Sequence, residues 1–330
     1  MRAIPRPIEA SLFALFLLII GTGPAVPARA GEASPARDDA GDRLSRIEQA
    51  MWDRNPEAAP LLRAWATGDP NDQVRERSIG ALALIRDPGA APVFLGRLDS
   101  DPSPAVRRAA AEAIGLFHSG VDSRRLADPL RKDPDPFVRA ECARALGRIG
   151  DTASGPALLI SLVQDPSPEV RALAAEALSA LRLRDAADVL RAAALQDDSV
   201  LVRIYAVRAL AGTSASSESL FQTVWEGSSD PDLRLEAFRG LLLAERGDAW
   251  ERAGLADADE RVRFLAFRKW LSRRLAIRPG IDEPAERDFT TRLEGFLADR
   301  VGGIRELAKA QMEALGFRIR RSGFGYAVER

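Results

Sequence analysis

Residues able to do chemistry are scarce in this chain. Its 330 residues include one histidine, His118, and one cysteine, Cys142. No intramolecular disulfide can form. One chain cannot build a zinc site from His and Cys ligands, nor a helical His-Glu-x-x-His motif. A Cys–His nucleophile pair needs its side chains within hydrogen-bond reach. His118 stands at the end of one helical pattern (IGLFHSG), while Cys142 sits four residues after Val138 in the next. They fall at different ends of neighbouring helices, so Cys142 reads as a small buried hydrophobe. The pairs Asp133/Asp135, Asp230/Asp232 and Asp257/Asp259 raise the question of calcium. That ion takes about six to eight oxygens and usually a glycine-bearing loop, which these pairs lack. We therefore expect no catalytic residue, no metal and no cofactor.

Charge excludes another class. The net charge is −1, so no basic field covers the whole protein to hold nucleic acid. With 46% hydrophobic and 29% charged residues the chain has enough apolar material for a sizeable core.

The first thirty residues read as an address. Arg2 and Arg6 precede nine apolar residues, Leu12 to Ile20. Gly21, Gly23 and Pro24 break the run, and Ala28-Arg29-Ala30 offers a small-x-small cleavage site. This is the order and size of a secretory signal peptide. The run is shorter than the roughly 20 residues that span a bilayer. We expect an exported protein, periplasmic or secreted, with no membrane span after cleavage at residue 30. Cleavage would bring the net charge to −3. Residues 31–41 are small and polar and read as a disordered lead-in.

The rest of the chain repeats. DPSPAVRRAAAEAIG starts at Asp101, DPDPFVRAECARALG at Asp133 and DPSPEVRALAAEALS at Asp165. The aliphatic residue before the recurrent arginine falls at Val74, Val106, Val138, Val170, Val202, Leu233, Val262 and Ile304. The first five of these are 32 apart, and a fixed period of this size signals a solenoid. Three residues before these anchors stand Asn71, Ser103, Asp135, Ser167, Ser199, Asp230 and Asp259, side chains that cap helix N-termini. Pro104, Pro136, Pro168 and Pro231 follow at the first helical position. Apolar or small residues recur at +4, +7 and +8 from each anchor, one face of a helix. Ala91–Leu98, Ala157–Val163 and Ala187–Leu195 mark the plainer first helix of each pair.

With an aspartate five residues before a Val-Arg pair, the array resembles HEAT repeats of the short type found in phycobilisome-lyase-like proteins. The aspartates are Asp69, Asp101, Asp133, Asp165, Asp197, Asp257 and Asp299; Ser228 replaces the sixth. The arginines are Arg75, Arg107, Arg139, Arg171, Arg203, Arg234, Arg263 and Arg305. The resemblance implies an all-α, right-handed α-solenoid of about eight helix pairs over residues 42–316. It also implies that these charges tie neighbouring repeats together near the inter-helix turns. Leu44–Trp52 reads as a capping helix, Arg278-Pro279-Gly280 as a loop, and residues 317–330 as a tail or hairpin turning at Ser322-Gly323.

One trend points to a binding surface. At +2, +5 and +9 the second helices carry mostly small residues early: Arg108, Ala111 and Gly115, then Ala140, Ala143 and Gly147, then Ala172, Ala175 and Ser179. Later they carry Ile204, Val207 and Ala211, then Leu235, Phe238 and Leu242, then Phe264, Phe267 and Leu271. These positions point away from the main core stripe. They read either as an apolar groove on the concave face or as side chains covered by neighbouring repeats or by the chain's own insert or tail. Arg208, Arg239 and Arg268 recur at +6 and read as a basic rim or a solvated face. The leading expectation is a non-catalytic exported scaffold that binds a protein partner there. A lyase-like or chaperone-like protein handling a pigment or other ligand, and a purely structural envelope module, are the alternatives.

Overall fold

An asparagine or aspartate before a helix satisfies backbone N–H groups that the helix itself leaves free. In the computed structural model, Asn71 accepts from the N–H of Gln73 and Val74, and Asp135 from Phe137 and Val138. Asp230 does the same for Asp232 and Leu233. The serines at this position behave differently. Ser103 donates its hydroxyl to Asp72, and Ser167, which makes no side-chain capping bond, donates to Glu169. The structure describes residues 39–117, 121–183, 185–212, 217–243, 247–274 and 283–329. The expected signal peptide, His118 and Arg278-Pro279-Gly280 lie outside them.

Seventeen helices are present among the described residues. Helix α1 (Ala40–Trp52) precedes eight pairs. These are α2 (Ala59–Gly68) with α3 (Asp72–Ile85), α4 (Ala91–Ser100) with α5 (Pro104–Phe117), α6 (Ala127–Lys132) with α7 (Pro136–Ile149), and α8 (Gly155–Gln164) with α9 (Pro168–Leu181). Then come α10 (Ala186–Gln196) with α11 (Val200–Ala211), α12 (Glu218–Gly227) with α13 (Pro231–Leu243), α14 (Gly247–Leu255) with α15 (Glu260–Arg274), and α16 (Glu283–Phe296) with α17 (Gly302–Ala314). This is an all-α HEAT-like solenoid. No described helix is long and apolar enough to cross a membrane.

The second helices lie flank to flank along the array, more closely than the first helices do. Small residues permit this. A Cβ added at Gly115 would lie 2.8 Å from Ala145 Cα, and one at Gly147 3.0 Å from Ala177 Cα. Toward the C-terminus, phenylalanines replace alanines in the same seam, and the contact between second helices thins from α13 onward. One apolar core runs from Ile47 to Ala266. A second surrounds Phe267, Trp270, Phe289 and Ile304.

A short antiparallel hairpin closes the chain, β1 (Ile319–Ser322) with β2 (Gly325–Val328). Its loop is Gly323-Phe324, one residue beyond the expected turn, because Gly323 takes φ +57 at the first loop position. The hairpin is anchored by Tyr326 N–H on Leu297 O at 2.9 Å. Tyr326 also donates its hydroxyl to Glu306 at 2.5 Å.

The apolar stripe does not form an open groove. Phe238 and Phe267 are 0% exposed, and Val207, Leu242 and Leu271 are buried. Ile204, Leu235 and Phe264 are half-buried against the two cores. Phe238 packs on Trp225 at 5.3 Å between ring centroids. Phe267 packs on Phe296 at 4.7 Å. The physical reason is that a second helix touches its own first helix on one side and the adjacent second helices on two more. The +2, +5 and +9 positions turn away from the first contact and into the others.

Candidate interaction face

Recurrent charges build the joints between repeats. Arg75 donates to both carboxylate oxygens of Asp101 at 2.9 and 2.8 Å. Arg107 does so to Asp133, Arg139 to Asp165 and Arg171 to Asp197, always 26 residues ahead. Each of these arginines also donates to the backbone carbonyl of its own repeat's aspartate, as Arg75 does to Asp69 O at 2.8 Å. The aspartates in turn accept a backbone N–H two residues on. Helix α1 supplies the first rung, Arg43 to Asp69 at 2.7 Å. These partly buried, forked pairs gain from both charge and geometry.

The same bonds account for the Asp-x-Asp pairs. Asp133 and Asp257 take arginines, Asp135 and Asp230 cap helices, and Asp259 accepts from Arg261 N–H. No cluster of three metal-ligating side chains occurs among the described residues. Cys142 is fully buried, and burial pushes its thiol far above the ordinary range. A thiol so held is a poor nucleophile.

On α11, α13 and α15 the exposed face is the one bearing +6 and +10. Here Arg208 on α11, Arg239 on α13 and Arg268 on α15 are exposed at equivalent positions of consecutive repeats. Glu236 lies between the first two. Its Oε1 accepts from Arg208 at 3.0 Å and from Arg239 at 3.1 Å. The carboxylate is nearly buried, with its side chain 11% exposed, while the two arginine side chains are half exposed. Burial works against the charge on Arg208, but Glu236 outweighs it and raises the guanidinium pKa. The Arg208 guanidinium also sits 5.2 Å from the Tyr205 ring centroid. Arg268 makes no side-chain ion pair or hydrogen bond among the described residues. Two of the three guanidiniums thus share one carboxylate, Glu236. The sequence offered a basic rim or a solvated face for these arginines, and all three are exposed in the structure. That face was legible in Arg144, Glu176, Arg208, Arg239 and Arg268, charged at the same +6 position.

Comparison with solved structures gives similar folds at low identity. The YibA protein of Escherichia coli is 21% identical, with 71% of this chain and 88% of that chain covered and a TM-score of 0.51. The complex of CpcE and CpcF of phycocyanin lyase from Nostoc is 20% identical, covering 82% of this chain and 97% of that chain, with a TM-score of 0.45. An engineered protein is 20% identical, covering 82% and 81%, with a TM-score of 0.44. None of the curated proteins matches. The HEAT-repeat family model matches residues 43–119 and 123–211, half of the chain. With its helix pairs and its ladder of arginine–aspartate rungs, the chain belongs to the HEAT-repeat family.

Proposed function

We propose that the protein is a non-catalytic, exported scaffold that binds a protein partner along the exposed face of α11, α13 and α15. Solenoids offer extended surfaces of this kind. The observation carrying the reading is the row Arg208, Arg239 and Arg268, exposed at one position of three consecutive repeats, with Glu236 paired to the first two. Export rests on the order of charged, apolar and small residues in the first thirty. Contact is made by the arginines and not by the buried phenylalanines, so the partner surface is acidic.

The test is capture from envelope and secreted fractions by mature 31–330. Wild type runs beside an Arg208→Glu, Arg239→Glu, Arg268→Glu variant, with a melting curve for each. A partner held by wild type and lost by an equally stable variant is the expected result. A partner held equally by both would overturn the assignment of this face.

A further inference from the structure

One joint of the ladder differs from the four before it, between α11 and α13. We propose that this joint binds a small, singly charged carboxylate anion from solution, held by the guanidinium fork of Arg203 and the hydroxyl of Ser228. The site uses none of the residues of the arginine row and does not depend on that row.

The four intact rungs show how a carboxylate is received. In each, the arginine Nη1 donates to the carbonyl of its own repeat's aspartate. Its Nε and Nη2 donate to the two carboxylate oxygens of the next aspartate. Arg203 keeps the first bond, from Nη1 to Asp197 O at 2.7 Å. Its Nε and Nη2 remain as a planar pair of donors, a spacing that matches the two oxygens of one carboxylate. Across the joint, Ser228 Oγ accepts the Asp230 N–H at 3.1 Å, much as Asp197 Oδ1 accepts the Ser199 N–H at 2.9 Å. The hydroxyl keeps its proton to donate. A serine oxygen ends one bond short of an aspartate's, so the oxygens that would meet the fork must come from elsewhere. Arg203 and Ser228 are both half-buried, which leaves them reachable from solvent.

The acids nearest in sequence are committed to other partners. Asp197 and Asp198 hold Arg171, Asp230 caps α13, and Asp232 pairs with Arg261. They also select the ligand's charge. Asp198 and Asp232 are exposed, one from each of the two repeats that form the joint. Their repulsion grows with the charge of an approaching anion. Sulfate and runs of acidic residues are disfavoured on that ground, whereas a carboxylate with one charge and a planar pair of oxygens fits the fork.

The experiment is NMR of the arginine Nε–H groups on mature 31–330, titrated with sodium acetate at constant ionic strength against sodium chloride. The Arg203 signal is assigned by its loss in Arg203→Lys. The expected response is a saturating shift with half-saturation at about 10–100 mM, the range of a single forked contact. Sodium sulfate should give no saturating shift. Ser228→Asp should abolish the response, because its own carboxylate then occupies the fork, and a melting curve shows that the variant is folded. The Arg208→Glu, Arg239→Glu, Arg268→Glu variant should respond as wild type does. A signal that moves no more than those of other arginines would overturn the site. So would an equal response to sulfate, an undiminished response in Ser228→Asp, or a response lost on reversing the row. Partner capture through the row stands or falls separately.

Discussion

Ser228 stands where the ladder calls for a carboxylate opposite Arg203. Its hydroxyl oxygen accepts the Asp230 N–H at 3.1 Å, as the aspartates elsewhere accept theirs. It does not replace the second half of their role. Arg203 donates only to Asp197 O, at 2.7 Å, and has no carboxylate partner among the described residues.

The Ser228→Asp variant should therefore complete the rung. The expected gain is about 1 kcal/mol, in the range of a charged hydrogen bond less the cost of desolvation. For an array this long it would appear as a rise in Tm of about 2 °C. No rise in Ser228→Asp, or the same rise in Ser228→Asp combined with Arg203→Ala, would show that the pair does not form.

Breaking an intact rung should cost more than completing a missing one. Arg139→Ala leaves Asp165 nearly buried without its forked partner. We expect a loss of about 2–3 kcal/mol, measured as a lower urea midpoint. Arg139→Lys should recover part of it, because a lysine keeps the charge but cannot present the fork.

Acid should loosen the ladder. Burial alone would raise the carboxyl of Asp101, but Arg75 and the Ser103 N–H outweigh it and hold the value below 3.8. Asp197 is held low in the same way by Arg171 and the Ser199 N–H. A carboxylate held low in the folded state binds its proton more readily unfolded. Its stabilisation is therefore complete above 3.8 and declines as pH falls below that toward the folded value. Glu141 runs the other way, since burial raises its carboxyl despite Arg144 and Arg148. Urea midpoints at about pH 6 and about pH 3 should differ more for wild type than for Asp101→Asn. Equal differences would remove Asp101 from the account.

The phenylalanine seam should tolerate little. A Cβ at Gly254 would meet Phe238 Cζ at 2.1 Å and Ala266 Cβ at 2.8 Å. Gly254→Ala is expected to destabilise by about 1–3 kcal/mol, as overpacking does. Phe238→Ala opens a cavity instead, at about 3–5 kcal/mol. Thermal melts of both variants check this; wild-type stability in Phe238→Ala would mean the ring is not core.

The helix pairs were legible because local chemistry repeats with them: a capping residue, a proline and an aliphatic-arginine step every 32 residues across most of the array. The destination of Phe238 and Phe267 was not. Angular spacing along one helix shows which residues share a face, but not how many neighbours that helix has. In this array a second helix is covered on three sides. The clue lay in the small residues at the same positions, since Ala140, Ala143, Ala172 and Ala175 are buried too. They belong to a seam that was always closed, and it widens where the rings enter. The serines at helix starts misled for a related reason: the hydroxyls of Ser103 and Ser167 found carboxylates nearby and bond to those.

From Arg75 to Asp197 every joint is the same bond at the same offset. Residues 133–164 could be excised with the arginine–aspartate rungs and the second-helix seam still in register, at the loss of the Ser123–Asp151 bond. Arg107 would meet Asp165 in the way that Arg139 does now. Gly115 would lie against Ala177, which today faces Gly147. The middle of this protein thus behaves like a ruler with interchangeable divisions, whose length can change by whole units while its ends keep their own caps.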